Sequence, residues 1–201
     1  MQNREQRAIT RVFRGGWIGD VADARNFLGA FAAEGALNWP GYDDVRYRQL
    51  FANADAARNE PARNAWLRAA ETRLLHIDPA LKAAGWGVVE GSRIRPEYPI
   101  TLGRIEGHGK RGKALTADYV LEYRNTKLAV IEAKAWDKPA TEGVGQAKSY
   151  AARLGVRFAY ATNGQVIYGV DMATGAEGDA PHYPRPQELW GQTFAEANAW
   201  R

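Results

Sequence analysis

At 201 residues, with 45% hydrophobic and 11% aromatic content, the chain can build one ordinary domain with a full core, which excludes a disordered polypeptide. The absence of cysteine removes disulfide and thiolate chemistry, and three scattered histidines give no basis for a zinc site. A formal charge of +4, with a pI near 9.4, permits a polyanionic partner without demanding one. Neither a signal peptide nor an apolar run long enough to span a bilayer is visible, so the expected location is cytoplasmic, with no membrane partner.

The N-terminal third reads as helical. Residues 4–13 form a first helix, Gly15-Gly16 interrupts it, and residues 21–34 form a second with Phe27, Leu28 and Phe31 as its apolar face. After a turn at 38–42 comes a third helix at 43–58, where Arg46, Tyr47, Arg48 and Phe51 mix basic and aromatic side chains. Nucleic-acid surfaces use that mixture, and so do ordinary amphipathic helices. Residues 1–60 are thus expected to be a helical extension. Another helix opens at Asn59-Glu60-Pro61, where Asn caps and Pro suits the first turn. At 100° per residue Glu71 falls among Leu67, Leu74 and Leu75, inside the apolar stripe. An acid there needs a partner: a metal centre, or an arginine such as Arg73 or Arg104 in a structural ion pair.

Residues 106–113 are a glycine-punctuated basic loop carrying His108, Lys110, Arg111 and Lys113. Such a loop suits a phosphate backbone, giving affinity without sequence readout, although many basic loops are simply solvated. Its spacing is not that of a Walker motif, and no Ser or Thr follows its Gly-Lys pairs, so ATP hydrolysis is not expected of this chain.

Two apolar strands follow, at 117–123 and 128–134, joined by the polar turn Arg124-Asn125-Thr126-Lys127 into an antiparallel hairpin. Asp118 lies on the first strand, and Glu132 and Lys134 lie on the second. Strand residues two apart share a face, so Glu132 and Lys134 point the same way. A hairpin brings both carboxylates and the ammonium together, and two acids that close repel unless a cation lies between them. A hard divalent ion such as magnesium fits Asp118, Glu132, the backbone carbonyl of Ala133 and waters. Lys134 beside it would orient or deprotonate a water and neutralise charge developing on a phosphate. The plain alternative is that Lys134 merely pairs with Glu132 at a strand end.

The helix at 142–154, closed by Gly155, carries Gln146 and Tyr150 on one face, where they could hydrogen-bond a phosphate or a metal-bound water. Strands at 156–161 and 165–171 then meet around Asn163-Gly164, a strong hairpin signal. A polar turn at Thr174-Gly175 leads to a proline-rich run at 180–186 that reads as a linker, then to a helix at 187–199 with no evident core for its apolar residues. The expected fold is α/β, a central mixed sheet of about five strands flanked by helices.

These residues resemble the PD-(D/E)xK nucleases, and more closely the N-terminal nuclease domain of the motor (R) subunit of type I restriction enzymes. The blocks that carry the resemblance are Glu71-Thr72-Arg73 through Ile77-Asp78-Pro79-Ala80-Leu81 and Ala84-Gly85-Trp86, Gly103-Arg104-Ile105, Ala117-Asp118-Tyr119-Val120-Leu121, and Ile131-Glu132-Ala133-Lys134. They continue with Gly145-Gln146 to Tyr150, Tyr160-Ala161-Thr162-Asn163-Gly164, and Pro184-Arg185-Pro186-Gln187-Glu188-Leu189-Trp190. The resemblance implies a restriction-endonuclease-like fold and magnesium-dependent hydrolysis of double-stranded DNA in a bacterial or archaeal cell. It makes Asp118 and Glu132 metal ligands, Lys134 the catalytic lysine, and Gln146 and Tyr150 an added Q-x-x-x-Y motif. Glu71 resembles the acid of the leading helix, where members often carry an acid two residues earlier and this chain has Ala69, and Ala117 replaces the proline of the family name. Arg104, Lys110, Arg111 and Lys113 are the expected DNA contacts. The implied layout is an extension at 1–60, a nuclease core at 61–180, and at 181–201 a linker toward an ATP-fuelled helicase, with methyltransferase and specificity subunits as partners. The competing readings are a non-catalytic DNA-binding or docking module of the same fold and a free-standing repair or mobile-element nuclease.

Overall fold

The computed structural model describes residues 24–32, 45–101, 105–106, 110–111 and 115–195. The expected helix at 4–13, the turn at 38–42, Arg104, His108 and Lys113 lie outside them. The chain divides into two compact units, Met1–Glu71 and Thr72–Arg201, so the boundary falls later than the expected start of the core at residue 61.

In the first unit, helices α1 (Ala24–Ala32) and α2 (Val45–Asp55) pair, and α3 (Glu60–Thr72) follows. Leu28, Tyr47, Leu50, Phe51 and Ala54 are buried. The Tyr47 hydroxyl donates to the Leu28 carbonyl at 2.8 Å, and Arg25 binds Asp55 through two nitrogens at 2.6 and 2.7 Å. Phe27, expected on the apolar face, is exposed. Asn59 Oδ1 accepts the Ala62 amide at 2.9 Å, the N-cap expected for α3.

The second unit opens with a π turn at Arg73–Ile77, in which the Asp78 amide reaches back to the Arg73 carbonyl, and helix α4 (Asp78–Ala83). Pro79 explains the turn. It has no amide to bond the Leu75 carbonyl, and its ring crowds that carbonyl, so the backbone widens by one residue. The main sheet has six strands: β1 (Ser92–Thr101), β4 (Leu115–Tyr123), β5 (Thr126–Ala133), β6 (Phe158–Thr162), β7 (Ile167–Asp171) and β8 (Glu177–Ala180), in that spatial order. All neighbours are antiparallel except β5 and β6, which the crossover helix α5 (Val144–Leu154) makes parallel. The β4–β5 turn is tighter than expected, two residues, Arg124 and Asn125, with φ of 50° and 60°. The basic loop contains a small antiparallel ladder between β2 (Ile105–Glu106) and β3 (Lys110–Arg111).

Each face of the sheet has its own core. On one, Tyr119, Leu121, Ala129, Ile131, Phe158 and Tyr160 meet Ile77, Leu81 and Trp86; on the other, Val120, Val130, Ala159 and Val170 meet Ala147, Tyr150 and Ala151 of α5. The expected linker is part of the first core. Tyr183 and Leu189 are buried there, Trp190 and Phe194 pack against it, and the Trp86 indole donates to the Pro184 carbonyl at 2.9 Å. Helix α6 (Pro186–Thr193) opens one residue before the expected 187, the expected end at 199 lies outside the described residues, and its first turn is closed by Glu188 accepting the Arg185 amide at 2.8 Å. The prolines fix extended backbone that a packed segment can use as readily as a linker. No described helix is long and apolar enough to cross a membrane.

Candidate active site

The backbone ladder between β4 and β5 runs from Tyr123↔Thr126 to Tyr119↔Ile131 and stops. Two residues beyond Ile131 the Ala133 amide donates to Asp118 Oδ2 at 2.7 Å, so a side-chain carboxylate takes the place of a backbone acceptor. On the other side of β5, the Lys134 amide donates to the Thr162 carbonyl at 2.7 Å. The acid-x-lysine segment is therefore held from both neighbours.

Strand alternation decides what these residues face. Val120 and Val130 lie in the core formed with α5, so Asp118, Glu132 and Lys134, each an even number of residues away, project to the α5 side. Lys134 Nζ donates to Glu132 Oε1 at 3.1 Å and to Gln146 Oε1 at 3.2 Å, and Gln146 Nε2 donates to the Tyr150 hydroxyl at 2.7 Å. The line Glu132–Lys134–Gln146–Tyr150 thus unites two residues from β5 with two from α5. Tyr150 is buried and Gln146 is exposed.

Two residues of this neighbourhood escaped the sequence reading. Gly143 ends the 3-10 turn Ala140–Gly143 that seats α5; a Cβ there would lie 3.2 Å from Glu132 Cγ, Lys134 Cε and Ala161 Cβ alike. A side chain there would press on the acid and the lysine, which would have to give by a few tenths of an ångström to admit it. Glu97 lies on β1 between the pairs Pro96↔Tyr119 and Tyr98↔Ala117, hence opposite Asp118, with a left-handed φ of 50°. Pro96 and Pro99 mask that strand in the sequence; an acid enclosed by such a run, ahead of the Asp118 strand, was the available signal.

Glu132 is 5% exposed. Burial pushes its carboxyl up to about 7, with repulsion from Asp118 and Glu97 adding to the rise and the Lys134 ammonium opposing it. Its Oε2 is buried without a hydrogen-bond partner. A buried oxygen left unsatisfied beside a second carboxylate has the character of a hard-cation site, so the residues present fit magnesium. Among the described residues no group of three or more His, Cys, Asp or Glu side chains is close enough to hold a metal.

Glu71 differs from its expectation. It belongs to the first unit and is exposed, and its charge helps burial to raise the pKa of the Tyr47 hydroxyl. The stripe was centred wrongly: Trp66 and Leu75 are exposed, whereas Leu67 and Ala70 are buried, and the π turn breaks the 100° count beyond Thr72. Arg73, one of the arginines expected to answer Glu71, is buried with its guanidinium 4.1 Å from the centre of the Tyr119 ring, whose hydroxyl donates to Asp78 at 2.7 Å. Of the expected DNA contacts, Lys110 and Arg111 form β3, while Arg104 and Lys113 lie outside the described residues.

No family model matches the chain. A curated Escherichia coli protein named type I restriction enzyme EcoAI endonuclease subunit is 37% identical over 125 residues, which is 57% of this chain and 15% of that protein. Among solved structures, a fragment described as an HsdR subunit of a type I restriction enzyme from Vibrio vulnificus superposes with a TM-score of 0.59 at 37% identity, covering 64% of this chain and 25% of that one. The chain therefore spans a small part of the relatives it matches.

Proposed function

We propose, from the homology of this α/β core to the endonuclease subunits of type I restriction enzymes, that the chain is a magnesium-dependent nuclease that hydrolyses phosphodiester bonds of double-stranded DNA within such an enzyme. The observation that carries this reading is the buried, unpartnered Glu132 Oε2 beside Asp118, with Lys134 hydrogen-bonded to the same carboxylate. A structural ion pair at a strand end would not need a second acid and an unsatisfied oxygen.

Asp118, Glu132 and the Ala133 carbonyl would hold the cation. When bound, it supplies Lewis-acid polarisation of the phosphodiester and stabilises charge on the leaving oxygen. Asp118 also fixes the strand end by accepting the Ala133 amide. Lys134 has three ammonium protons, of which Glu132 and Gln146 accept two. The third is available to an attacking water or a phosphate oxygen. Gln146 is a positioning residue: its amide nitrogen is committed to Tyr150, which turns its oxygen toward Lys134. Lys110, Arg111, Arg104 and Lys113 would add phosphate contacts that carry no sequence information. Target choice would then belong to a specificity subunit, acting with a methyltransferase subunit in the full complex.

Nicking of supercoiled plasmid in magnesium tests the reading, in this chain or in the complete enzyme that contains it. Asp118→Ala, Glu132→Ala and Lys134→Ala are each expected to slow cleavage by at least about a hundredfold with the melting transition retained. Wild-type nicking by Lys134→Ala would sink the assignment. Magnesium calorimetry separates the docking-module reading, which requires no binding that depends on Asp118 and Glu132.

A further inference from the structure

We propose that Trp136 is a stacking platform for a base of the DNA strand adjacent to the phosphodiester being cut, an inference that rests on the nuclease reading above. Trp136 follows Lys134 by two residues, in a turn closed by the Lys138 amide donating to the Ala135 carbonyl at 2.9 Å. Two residues of chain span at most about 7 Å, so the backbone that carries the indole lies within about one nucleotide's length of the backbone that carries the lysine.

The indole is held firmly and yet left open. One side stacks on His76, with ring centroids 4.3 Å apart and planes inclined by 37°. Beneath it lies Gly164, in a left-handed conformation at φ 87°, where a Cβ would come within 3.4 Å of Trp136 Cε3 and 3.1 Å of His76 Cβ. The turn is tied to the β6–β7 hairpin twice: Gln165 Nε2 donates to the Trp136 carbonyl at 2.8 Å, and Asn163 Nδ2 donates to the Lys138 carbonyl at 2.9 Å. Asn163 is itself buried, its oxygen accepting the Gln165 and Val166 amides at 3.0 and 3.1 Å. Nevertheless the tryptophan is 40% exposed, and among the described residues of the second unit it is the only exposed aromatic.

Rigid support beneath an open aromatic face suits a planar ligand, since the ordering cost is already met. Every base has a π face, so stacking is tolerant of sequence, as a nuclease that leaves target choice to another subunit requires. A duplex would have to yield one base, and the unstacking would occur at the step being cut. The partner is accordingly an unpaired or opened nucleotide, and the tether to the acid-x-lysine strand fixes where along the backbone it sits.

The test uses the full chain carrying Lys134→Ala, so that DNA is bound without being cut, and short single-stranded and duplex oligonucleotides containing 2-aminopurine. Base stacking of about 1–3 kcal/mol converts to a loss of roughly 5- to 150-fold in affinity by fluorescence anisotropy when Trp136→Ala is added, with Trp136→Phe within about threefold of the parent. The parent should also quench 2-aminopurine, and the alanine variant should not. Unchanged affinity and quenching in Trp136→Ala, or no quenching by the tryptophan-containing parent whatever the variants do, would overturn the platform. Magnesium calorimetry on the same proteins without Lys134→Ala tells the two failures apart: intact metal binding dependent on Asp118 and Glu132 leaves the nuclease reading standing, while its loss in the wild type removes both.

Discussion

Glu132 is under two opposed demands. In the proposed role a carboxylate would hold the cation as an anion, yet this carboxyl is 5% exposed and faces the charges of Asp118 and Glu97. Lys134 relieves the conflict only in part, which is why the carboxyl titrates near 7 in the metal-free fold instead of in the usual carboxylate range. A folded-state value raised above the unfolded one means that stability is full at low pH and is lost as pH rises from about 4.5 through about 7. Glu132→Gln, neutral at every pH, should therefore stabilise the metal-free protein by about 1–3 kcal/mol at pH 8 and progressively less toward pH 5. Urea unfolding in EDTA at the two pH values checks this, and a variant no more stable than wild type at pH 8 would remove the charge conflict from the account. Added magnesium should reverse the order, because only wild type gains from binding. The acids and the lysine were legible in the sequence because strand alternation is strict. That Glu132 would be buried, and that Glu97 would join it, was not, since both depend on which strand lies beside β4.

At the scale of elements, the site is the meeting of one helix with one strand end. Gly143 controls that meeting, its missing side chain leaving room for Glu132 Cγ and Lys134 Cε at 3.2 Å from where a Cβ would stand. Gly143→Val is expected to move α5 away from β5, stretch the Lys134–Gln146 contact, weaken magnesium binding by roughly tenfold, and cost about 1–3 kcal/mol of stability through overpacking. Calorimetry and thermal melting read the two effects separately; unaltered metal affinity would mean that the close approach has no bearing on the site. The helix itself was readable from its spacing and from Gly155, but its distance from the strand was not. A glycine in a helix start looks the same whether it is exposed or pressed against a carboxylate. The π turn shows the same limit in reverse. Pro79 was visible, but counting at 100° per residue ran Leu74 and Leu75 into the same stripe as Leu67, although the backbone widens beyond Thr72 and the buried face of the preceding helix is that of Leu67 and Ala70, away from Glu71.

For the molecule as a whole, the segment after β8 is the largest departure from expectation. Pro181, Pro184 and Pro186 read as a linker, yet Tyr183 and Leu189 are among the most buried side chains of the second unit, and Trp86 donates to the Pro184 carbonyl. Leu189→Ala should cost about 2–5 kcal/mol, the range for emptying a closed core position, measured by denaturant unfolding of the full chain. A loss below about 0.5 kcal/mol would restore the linker reading. Composition and pattern by themselves determined the α/β class, the β4–β5 hairpin and the β6–β7 hairpin, with Asp118, Glu132 and Lys134 at the end of the first and Gln146 and Tyr150 on one face of the helix between them. Those features follow from local rules: alternation on strands, turn residues, and helix spacing. The tertiary structure alone decided that Glu97 stands opposite Asp118, that Gly143 sets the helix against the acid, that Trp136 is pinned against His76 and the β6–β7 hairpin, and that α6 belongs to the core. Each of these is a contact between segments far apart in the chain, and a contact is specified by the surfaces that remain after every element has packed.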